Sequence, residues 1–476
     1  MKLGITKSKN SESFYVAKSY RNNNGKSTTK NIRKLGTLKE LMEKLNTDRD
    51  GVIAWAKEQV RIETEKYKEE KEIKNVTITF NADEQMEYNK QSFFIGGYLF
   101  PQSIYYDLKL DYICKKIKSK YSFKYDLNAI LSDLIYTRIL EPDSKRSSYK
   151  TAQQLLEAPT YELHGVYRAL AVLADECDSI QSEVYKNSHF VTKRSDKVLY
   201  YDCTNYYFEI EQEDGDKKYG KGKEHRPNPI IQMGMFTDGD GIPLAFSLFP
   251  GNQNEQKSLK PLEQKVIRDF GCHKFIYCSD AGLGSESIRE FNDMGNRKFI
   301  VTQSIKKLAK EEREWALNGK GFRRLSDGEL IDDIKDIDPD DKDVYYKEDP
   351  YTPKRIHQTL IVTYSPKYAA YQKSIREKQV ERANQMLASG NHKKQRKNPN
   401  DPGRFINQTS VTTDGEVAEK KIYTLDTEKI DEEAKFDGLY ALCTDLLDDN
   451  PKDIISVSEG RWQIEACFRN LKTDFE

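Results

Sequence analysis

The alternation of apolar and polar residues near the start of the chain has the period of two that is typical of β-strands. Residues 12–36 carry this alternation on both sides of an asparagine- and glycine-rich stretch, which predicts a hairpin. Residues 37–72 favour a helix that ends in a run of charges, and residues 98–190 have the spacing of helices throughout. The first part of the chain is therefore predicted to be a hairpin followed by helices.

A different pattern begins near residue 198, where short runs of β-branched and aromatic residues replace the helical spacing. The predicted elements are strands at 198–210, 229–238 and 242–251, a helix at 258–271, a strand at 274–280, a helix at 285–295 and a strand at 297–305. This order is typical of a ribonuclease H-like mixed sheet flanked by helices. We therefore predict an α/β fold of that class.

A long interruption follows, with helices and tracts of segregated charge, before the strand pattern returns and a helix begins at Pro451. We predict four segments: an N-terminal hairpin plus helix at 1–75, a helical region at 76–195, the sheet domain at 196–305 and 437–476, and a large insertion at 306–436. The first segment has two equally favoured interpretations, a small DNA-binding head and a solvated helix with a linker.

The composition limits the classes of protein to which this chain can belong. No run approaches the roughly 18 apolar residues that a membrane-spanning helix needs, and the first residues have no apolar stretch typical of a secretion signal. The seven cysteines are scattered without a Cys-x-x-Cys spacing, and with six histidines they offer no zinc-ligand pattern. These features predict a soluble, cytoplasmic protein with reduced thiols and no membrane partner.

The net charge is zero, from 77 basic and 77 acidic residues, which by itself argues against a nucleic-acid partner. The charge is segregated along the chain, however. Residues 367–404 hold ten Lys and Arg against three acids, and residues 331–350 hold nine acids against three Lys. A basic surface that binds DNA is therefore compatible with the neutral total.

Three acidic residues are candidates for chemistry. Asp202 lies inside an apolar strand, where a lone carboxylate is costly unless it is paired or bound to metal. Asp280 ends a second apolar strand, just before a glycine. Alone, each has an ordinary interpretation: an edge-strand Asp that faces solvent, or an Asp that caps a turn.

The third acid, Glu465, lies on the final predicted helix. Ile464, Phe468 and Leu471 form an apolar stripe there, and Glu465 belongs to a charged stripe beside it. A helical salt-bridge ladder is the more frequent interpretation of that stripe. Two acids at strand ends and a third on a helix after a returning strand, however, can converge at one end of a sheet. Three carboxylates suit Mg²⁺ or Mn²⁺, and two such ions can clamp a phosphodiester.

The sequence also resembles insertion-sequence transposases of the Asp-Asp-Glu class, in the IS-four superfamily and its close relatives. That superfamily has a Tyr-x2-Arg-x3-Glu-x6-Lys signature, which Arg461, Glu465 and Lys472 match, whereas Ser458 replaces the Tyr. The stretches 201–211, 225–259 and 279–285 extend the resemblance over nearly the whole chain.

The resemblance implies that Asp202, Asp280 and Glu465 hold two Mg²⁺ or Mn²⁺ ions and cut DNA. It implies that Arg461 and Lys472 contact phosphates of the transposon end. The partners would be terminal inverted repeats and target DNA, bound by a homodimer that pairs two ends.

The basic loops supply further candidate DNA contacts. These are His225 and Arg226 between the first two strands of the sheet domain, with Lys393, Lys394, Arg396 and Lys397 in the insertion. A solvated loop is the alternative for His225 and Arg226.

Other functions remain open. One is a truncated, non-catalytic remnant that still binds DNA, and another is a structure-selective nuclease or resolvase on the same fold. Residue 476 follows Lys472 so closely that we expect a C-terminally truncated product, in which the stripe of Ile464, Phe468 and Leu471 lacks a cover.

Overall fold

A computed structural model describes residues 1–8, 11–21, 27–70, 88–89, 93–390, 400–411 and 420–475. The chain divides into two compact units, Met1–Gln91 and Ser92–Glu476. Within the described residues, no helix is both long enough and apolar enough to cross a membrane. The four segments expected from the sequence stay a prediction.

The first unit is a small antiparallel sheet with two helices. Its strands are β1 (Lys2–Ser8), β2 (Ser11–Arg21) and β3 (Ser27–Thr37), and its helices are α1 (Leu38–Leu45) and α2 (Arg49–Glu70). The antiparallel pairing of β2 with β3 confirms the predicted hairpin. The single helix predicted over 37–72 is broken, because Asn46 takes a left-handed conformation (φ 47°) that ends α1.

The second unit begins with helices, as predicted. These are α3 (Leu99–Asp107), α4 (Leu110–Lys118), α5 (Leu127–Leu140), α6 (Lys145–Ala152), α7 (Leu163–Asp175) and α8 (Cys177–Val191). They enclose an apolar core of their own, in which Tyr105 and Tyr136 pack edge to face around Ile130.

A mixed nine-stranded sheet forms the centre of this unit. Its strands are β4 (Val198–Tyr207), β5 (Ile230–Asp238), β6 (Pro243–Pro250), β7 (Ile276–Ser279), β8 (Lys298–Gln303), β9 (Arg323–Arg324), β10 (Tyr345–Tyr351), β11 (Gln358–Tyr364) and β14 (Leu439–Thr444). A separate antiparallel pair comprises β12 (Ile406–Val411) and β13 (Lys420–Leu425). The order in the sheet is β6-β5-β4-β7-β8-β14-β11-β10-β9, with β4, β7 and β8 parallel.

Helices cover both faces of the sheet, which confirms the predicted fold class. They are α9 (Glu255–Phe270), α10 (Glu286–Asn292), α11 (Lys310–Leu317), α12 (Pro366–Ala388), α13 (Thr427–Ala434), α14 (Pro451–Glu459) and α15 (Trp462–Thr473). Leu259 and Val266 of α9 pack on one face, and Ile454 of α14 with Ile464 of α15 packs on the other. Side chains alternate across each strand, so β4 supplies both cores.

Three details differ from the sequence prediction. The insertion carries more than helices, because it supplies β9, β10 and β11 to the central sheet. The final helix is two helices, which Gly460 separates. The expectation that the stripe on α15 is uncovered is wrong: Ile464 is 0% and Phe468 7% exposed, and Leu471 packs against the same core, because α15 lies on the sheet.

Candidate active site

Asp202 lies in β4, and Asp280 directly follows β7, the parallel neighbour of β4. The pairing of β4 with β7 places Val198 opposite Ile276 and Tyr200 opposite Cys278, and continuing it by two residues places Asp202 opposite Asp280. Adjacent strands are roughly 4.8 Å apart. Since side chains alternate, both carboxylates lie on the face that α15 covers. The fold therefore brings together two of the three predicted acids.

Asp202 occupies a mostly buried position, with its side chain 21% exposed. Burial raises the pKa of its carboxyl to about 6, and the nearby charge of Asp280 adds to the rise. Three features oppose this rise: the Lys223 ammonium 4.0 Å away, the backbone N–H of Cys203, which donates to the carboxylate over 2.7 Å, and the charge of Arg461. An Asp that is hard to ionise beside a second Asp is a place where a cation is stabilising.

Asp280 begins a tight loop after β7. Its Oδ1 accepts hydrogen bonds from the N–H groups of Gly282 (2.9 Å) and Leu283 (3.1 Å), which is the turn-capping arrangement weighed from the sequence. Among the described residues no hydrogen bond reaches Oδ2, which leaves that oxygen for a ligand. The loop needs a glycine at 284, where a Cβ would lie 3.0 Å from the Cβ of Val301.

Helix α15 runs alongside β4 in the same direction. Gly460 lies against the hydroxyl of Tyr200, and the Lys472 ammonium lies 5.6 Å from the centroid of the Tyr206 ring. Asp202 is roughly 7 Å beyond Tyr200 along the strand, a distance that a helix covers in about four to five residues. Four to five residues counted from Gly460 reach Ile464 and Glu465.

The residues near Glu465 contact different parts of the sheet domain. Arg461, one turn earlier, donates from Nη1 to Thr302 Oγ1 on β8 over 3.2 Å. On the opposite side, Cys467 Sγ donates to Gly241 O in the β5–β6 turn. Glu465 itself is exposed, and no three His, Cys, Asp or Glu side chains of the described residues form a group that could hold a metal ion. Its role as the third ligand stays a prediction.

The loop between β4 and β5 lies beside α15. Together, the loop and the helix form a surface with several basic side chains, which we call the basic surface. Glu224 accepts an ion pair from Lys472 Nζ at 3.2 Å and from Arg226 Nε at 3.6 Å. The Arg226 guanidinium also stacks 4.0 Å from the centroid of the Tyr207 ring. The adjacent His225 is exposed and has a φ of 54°, in the left-handed region. The structure thus joins three predicted DNA contacts on one surface, beside the two aspartates.

A cavity of 590 Å³ opens between this loop and the loop after Asp280. Lys223, His225 and Gly282 are among the residues that line it.

Sequence reasoning missed two residues of this surface, Lys223 and Glu224. Lys223 is the cation nearest to Asp202, and its Nζ also donates to the carbonyl of Cys203. Glu224 links the loop to α15. The lysine-rich loop marked a basic region, but no local signal told which of its residues reaches the strand. The predicted contacts Lys393, Lys394, Arg396 and Lys397 lie outside the described residues.

Solved structures of two transposases show a distant similarity to this chain. The first is the piggyBac transposase synaptic complex with hairpin DNA, with a TM-score of 0.33, 8% identity, and coverage of 75% of this chain and 63% of that chain. The second is the Mos1 transposase paired-end complex with left transposon end, with a TM-score of 0.17, 11% identity, and coverage of 38% and 60%. These scores are too low to assign a shared overall fold. No curated protein matches this chain.

The match to a family profile is more extensive. The family described as "Transposase DDE domain" matches residues 188–476, a range that contains β4, β7 and α15 with all three candidate acids. This range is more than half of the chain. The protein therefore belongs to the transposase DDE-domain family.

Proposed function

We propose that this protein is a DNA transposase that cuts the ends of an insertion sequence and joins them to target DNA. The observation that carries the proposal is the closeness of Asp202 on β4 to Asp280 after the parallel neighbour β7, within the range that the family profile matches. The family favours nuclease and strand-transfer chemistry, and the basic surface beside the pair favours a nucleic-acid substrate.

Divalent metal is the cofactor that this pair fits. Both donors are carboxylates, and the raised pKa of Asp202 reflects an environment in which its negative charge lacks full compensation. We propose that Asp202, Asp280 and Glu465 would hold two Mg²⁺ or Mn²⁺ ions. When bound, such ions activate the attacking oxygen and stabilise the leaving oxygen of a phosphodiester.

The remaining residues bind and orient the DNA in this proposal. Arg461 and Lys472 lie on α15, on the same helix as Glu465, and would fix the phosphates on either side of the bond that breaks. Arg226 and His225 would hold the backbone on the loop side. Water hydrolyses the phosphodiester at the element's end, and the 3′-hydroxyl that this releases then attacks a phosphodiester of the target. A homodimer would hold two ends together.

A second candidate is a non-catalytic protein that binds the terminal repeats without cutting them. One observation favours it: Glu465 is exposed and does not complete a three-ligand group with the aspartates among the described residues. Binding of the DNA would then depend on the basic surface alone.

Cleavage of the element's own ends distinguishes these candidates. The full chain should nick end-bearing DNA in Mg²⁺ or Mn²⁺, as measured by gel analysis of labelled strands. The Glu465→Gln variant should cut about 10–100-fold more slowly, because even groups that only orient metal ligands contribute that much. Glu459→Gln, on the neighbouring helix, removes the same charge at an exposed position and should cut like the wild type. Equal rates for both variants would contradict the role of Glu465, and binding without cutting by the wild type would favour the second candidate.

The basic tract of the insertion should contribute to DNA affinity. Replacing Lys393, Lys394, Arg396 and Lys397 with Ala removes four positive charges from residues 367–404, whose net charge is +7. We expect weaker binding and a slope of log affinity against log salt that is smaller by up to about 3.6, since each phosphate contact contributes about 0.9. Fluorescence anisotropy across a salt series measures this slope. An unchanged slope would show that the tract does not contact DNA.

A further inference from the structure

A small pocket lies beside the loop that follows Asp280, where β8 ends and β11 begins. Its volume is 210 Å³, and Arg289, Gln303 and Gln358 form part of its wall. At roughly 30 Å³ per water molecule, this space exceeds what one ordered water needs. Its place at the carboxyl ends of parallel strands is where α/β sheets usually bind ligands.

The pocket contains a buried arginine with no acidic partner. Arg289 is 8% exposed, and its guanidinium donates to Gly284 O (2.9 Å), Gln358 Oε1 (2.9 Å) and Gln303 Oε1 (2.6 Å). All three acceptors are neutral, and no carboxylate of the described residues lies within 4.0 Å of this guanidinium. A buried charge without a counter-charge is unfavourable unless a ligand supplies one.

A second buried donor lines the same pocket. Gln358 is 2% exposed, and its Oε1 must face Arg289, so the direction of its amide is fixed. Its Nε2 then has no hydrogen-bond partner in the part of the chain that the structure describes. A buried amide that keeps an unused donor is costly, and an acceptor in the pocket would remove that cost.

The negative charge of Glu286 in the pocket wall is balanced by an ion pair with Lys354. Lys354 has a φ of 66°, in the left-handed region, and its Nζ lies 2.5 Å from a carboxylate oxygen of Glu286. The acidic side chain in the pocket wall is therefore compensated by a lysine. The net charge left for a ligand to neutralise is that of Arg289.

We propose that this pocket binds one phosphate group, and that in the proposed transposase it holds a phosphodiester of the DNA strand next to the cleavage site. Of the five N–H donors of a guanidinium, Arg289 uses three on protein oxygens and one on the Cys443 thiol, so one remains for an anion. Its planar fork matches phosphate geometry. Because Arg289 also holds Gly284 of the Asp280 loop, an occupied pocket would fix that loop. The DNA source rests on the proposed function, whereas the anion site itself does not.

Inorganic phosphate provides a direct probe of the pocket. At constant ionic strength, phosphate should raise the thermal midpoint of the full chain in a saturable way, because a ligand that binds only the folded state stabilises it. Gln358→Glu keeps the size of the side chain but places a carboxylate beside Arg289 and removes the unused donor. We expect it to fold and to bind phosphate at least about tenfold more weakly. Gln385→Glu, at an exposed position of α12, adds the same charge and should bind like the wild type.

A DNA duplex separates the two possible sources of the phosphate group. If the pocket holds a phosphodiester, Gln358→Glu should also bind an end-bearing duplex about tenfold more weakly than Gln385→Glu, and free phosphate should compete. Saturable phosphate binding with equal duplex affinities would overturn the DNA assignment. Absence of saturable binding by the wild type, or its retention in Gln358→Glu, would overturn the anion site. A wild type that binds phosphate but neither binds nor cuts DNA would refute the proposed function and leave the pocket standing.

Discussion

Replacing Asp202 with Asn should reduce strand cleavage by more than about a hundredfold while making the protein more stable. The side chain lies close to Asp280 and, in the proposed function, would be a direct metal ligand, so its loss should exceed the 10–100-fold effect of residues that only orient a ligand. DNA affinity should change little, because the basic side chains of the surface remain. Single-turnover cleavage and anisotropy on the same end-bearing duplex measure the two effects separately.

The stability gain follows from the raised pKa of Asp202. Folding moves this pKa from 3.8 to about 6, so the folded state holds the proton more tightly and the wild type loses stability as the pH rises through about 6. Asn has no such dependence. The advantage of Asp202→Asn in the free energy of unfolding should therefore be larger above pH 7 than below pH 4, by about 3 kcal/mol. Mg²⁺ should reduce this advantage, because it stabilises the ionised wild type.

A matched control is Asp448→Asn, which removes a carboxylate at an exposed position. This variant should cut DNA like the wild type, and its stability should stay within about 0.5 kcal/mol of it. If Asp202→Asn cuts at the wild-type rate, the aspartate pair is structural. If the stability advantage does not change with pH, Asp202 is ionised in the folded protein without cost.

The sequence was sufficient for the parts of the fold that depend on local pattern. The order of β4 to β8 and the hairpin turn before β6 follow from short apolar runs and a glycine pair, and they place Asp202 within β4 and Asp280 directly after β7. The order of the elements predicted a mixed sheet in which the acids can converge at one end, and the structure shows that β4 and β7 are parallel neighbours.

Long-range pairing explains what the sequence could not give. Strands β10 and β11 join the central sheet by contacts across the chain, and β10 carries charged residues because it lies near an edge. The contact of Lys223 with Asp202 depends on how a loop folds back onto its strand. The apolar stripe of α15 packs against the sheet. The stripe alone does not show which element of the fold will pack against it. None of these features produces a periodic pattern in the local sequence.

The largest expected effect on stability involves a buried ion pair at the carboxyl end of β5. Arg194 Nε donates to Asp238 Oδ2 over 2.5 Å, and the two side chains are 2% and 0% exposed. The guanidinium also donates to Ser188 Oγ and to the carbonyls of Ile242 and Pro243, which ties the end of α8 to the β5–β6 turn. Every part of this pair is therefore out of water.

Arg194→Ala should lower the free energy of unfolding by about 3–5 kcal/mol, because it leaves the Asp238 carboxylate buried without its counter-charge. The exposed pair of Arg268 and Asp269 is the matched control: its side chains are 77% and 30% exposed, so Arg268→Ala should lower the stability far less than Arg194→Ala. Urea denaturation followed by circular dichroism measures both changes.

The double variant Arg194→Met with Asp238→Asn tests the cause. It removes both charges together and keeps side chains of similar size, so it should recover most of the stability that Arg194→Ala loses. The β5–β6 turn that Arg194 fixes also accepts a hydrogen bond from Cys467 on α15, the helix of Glu465. Arg194→Ala should therefore also slow cleavage, and the double variant should restore it in part. A double variant as unstable as Arg194→Ala would show that the lost packing and backbone hydrogen bonds, and not the stranded charge, cause the effect.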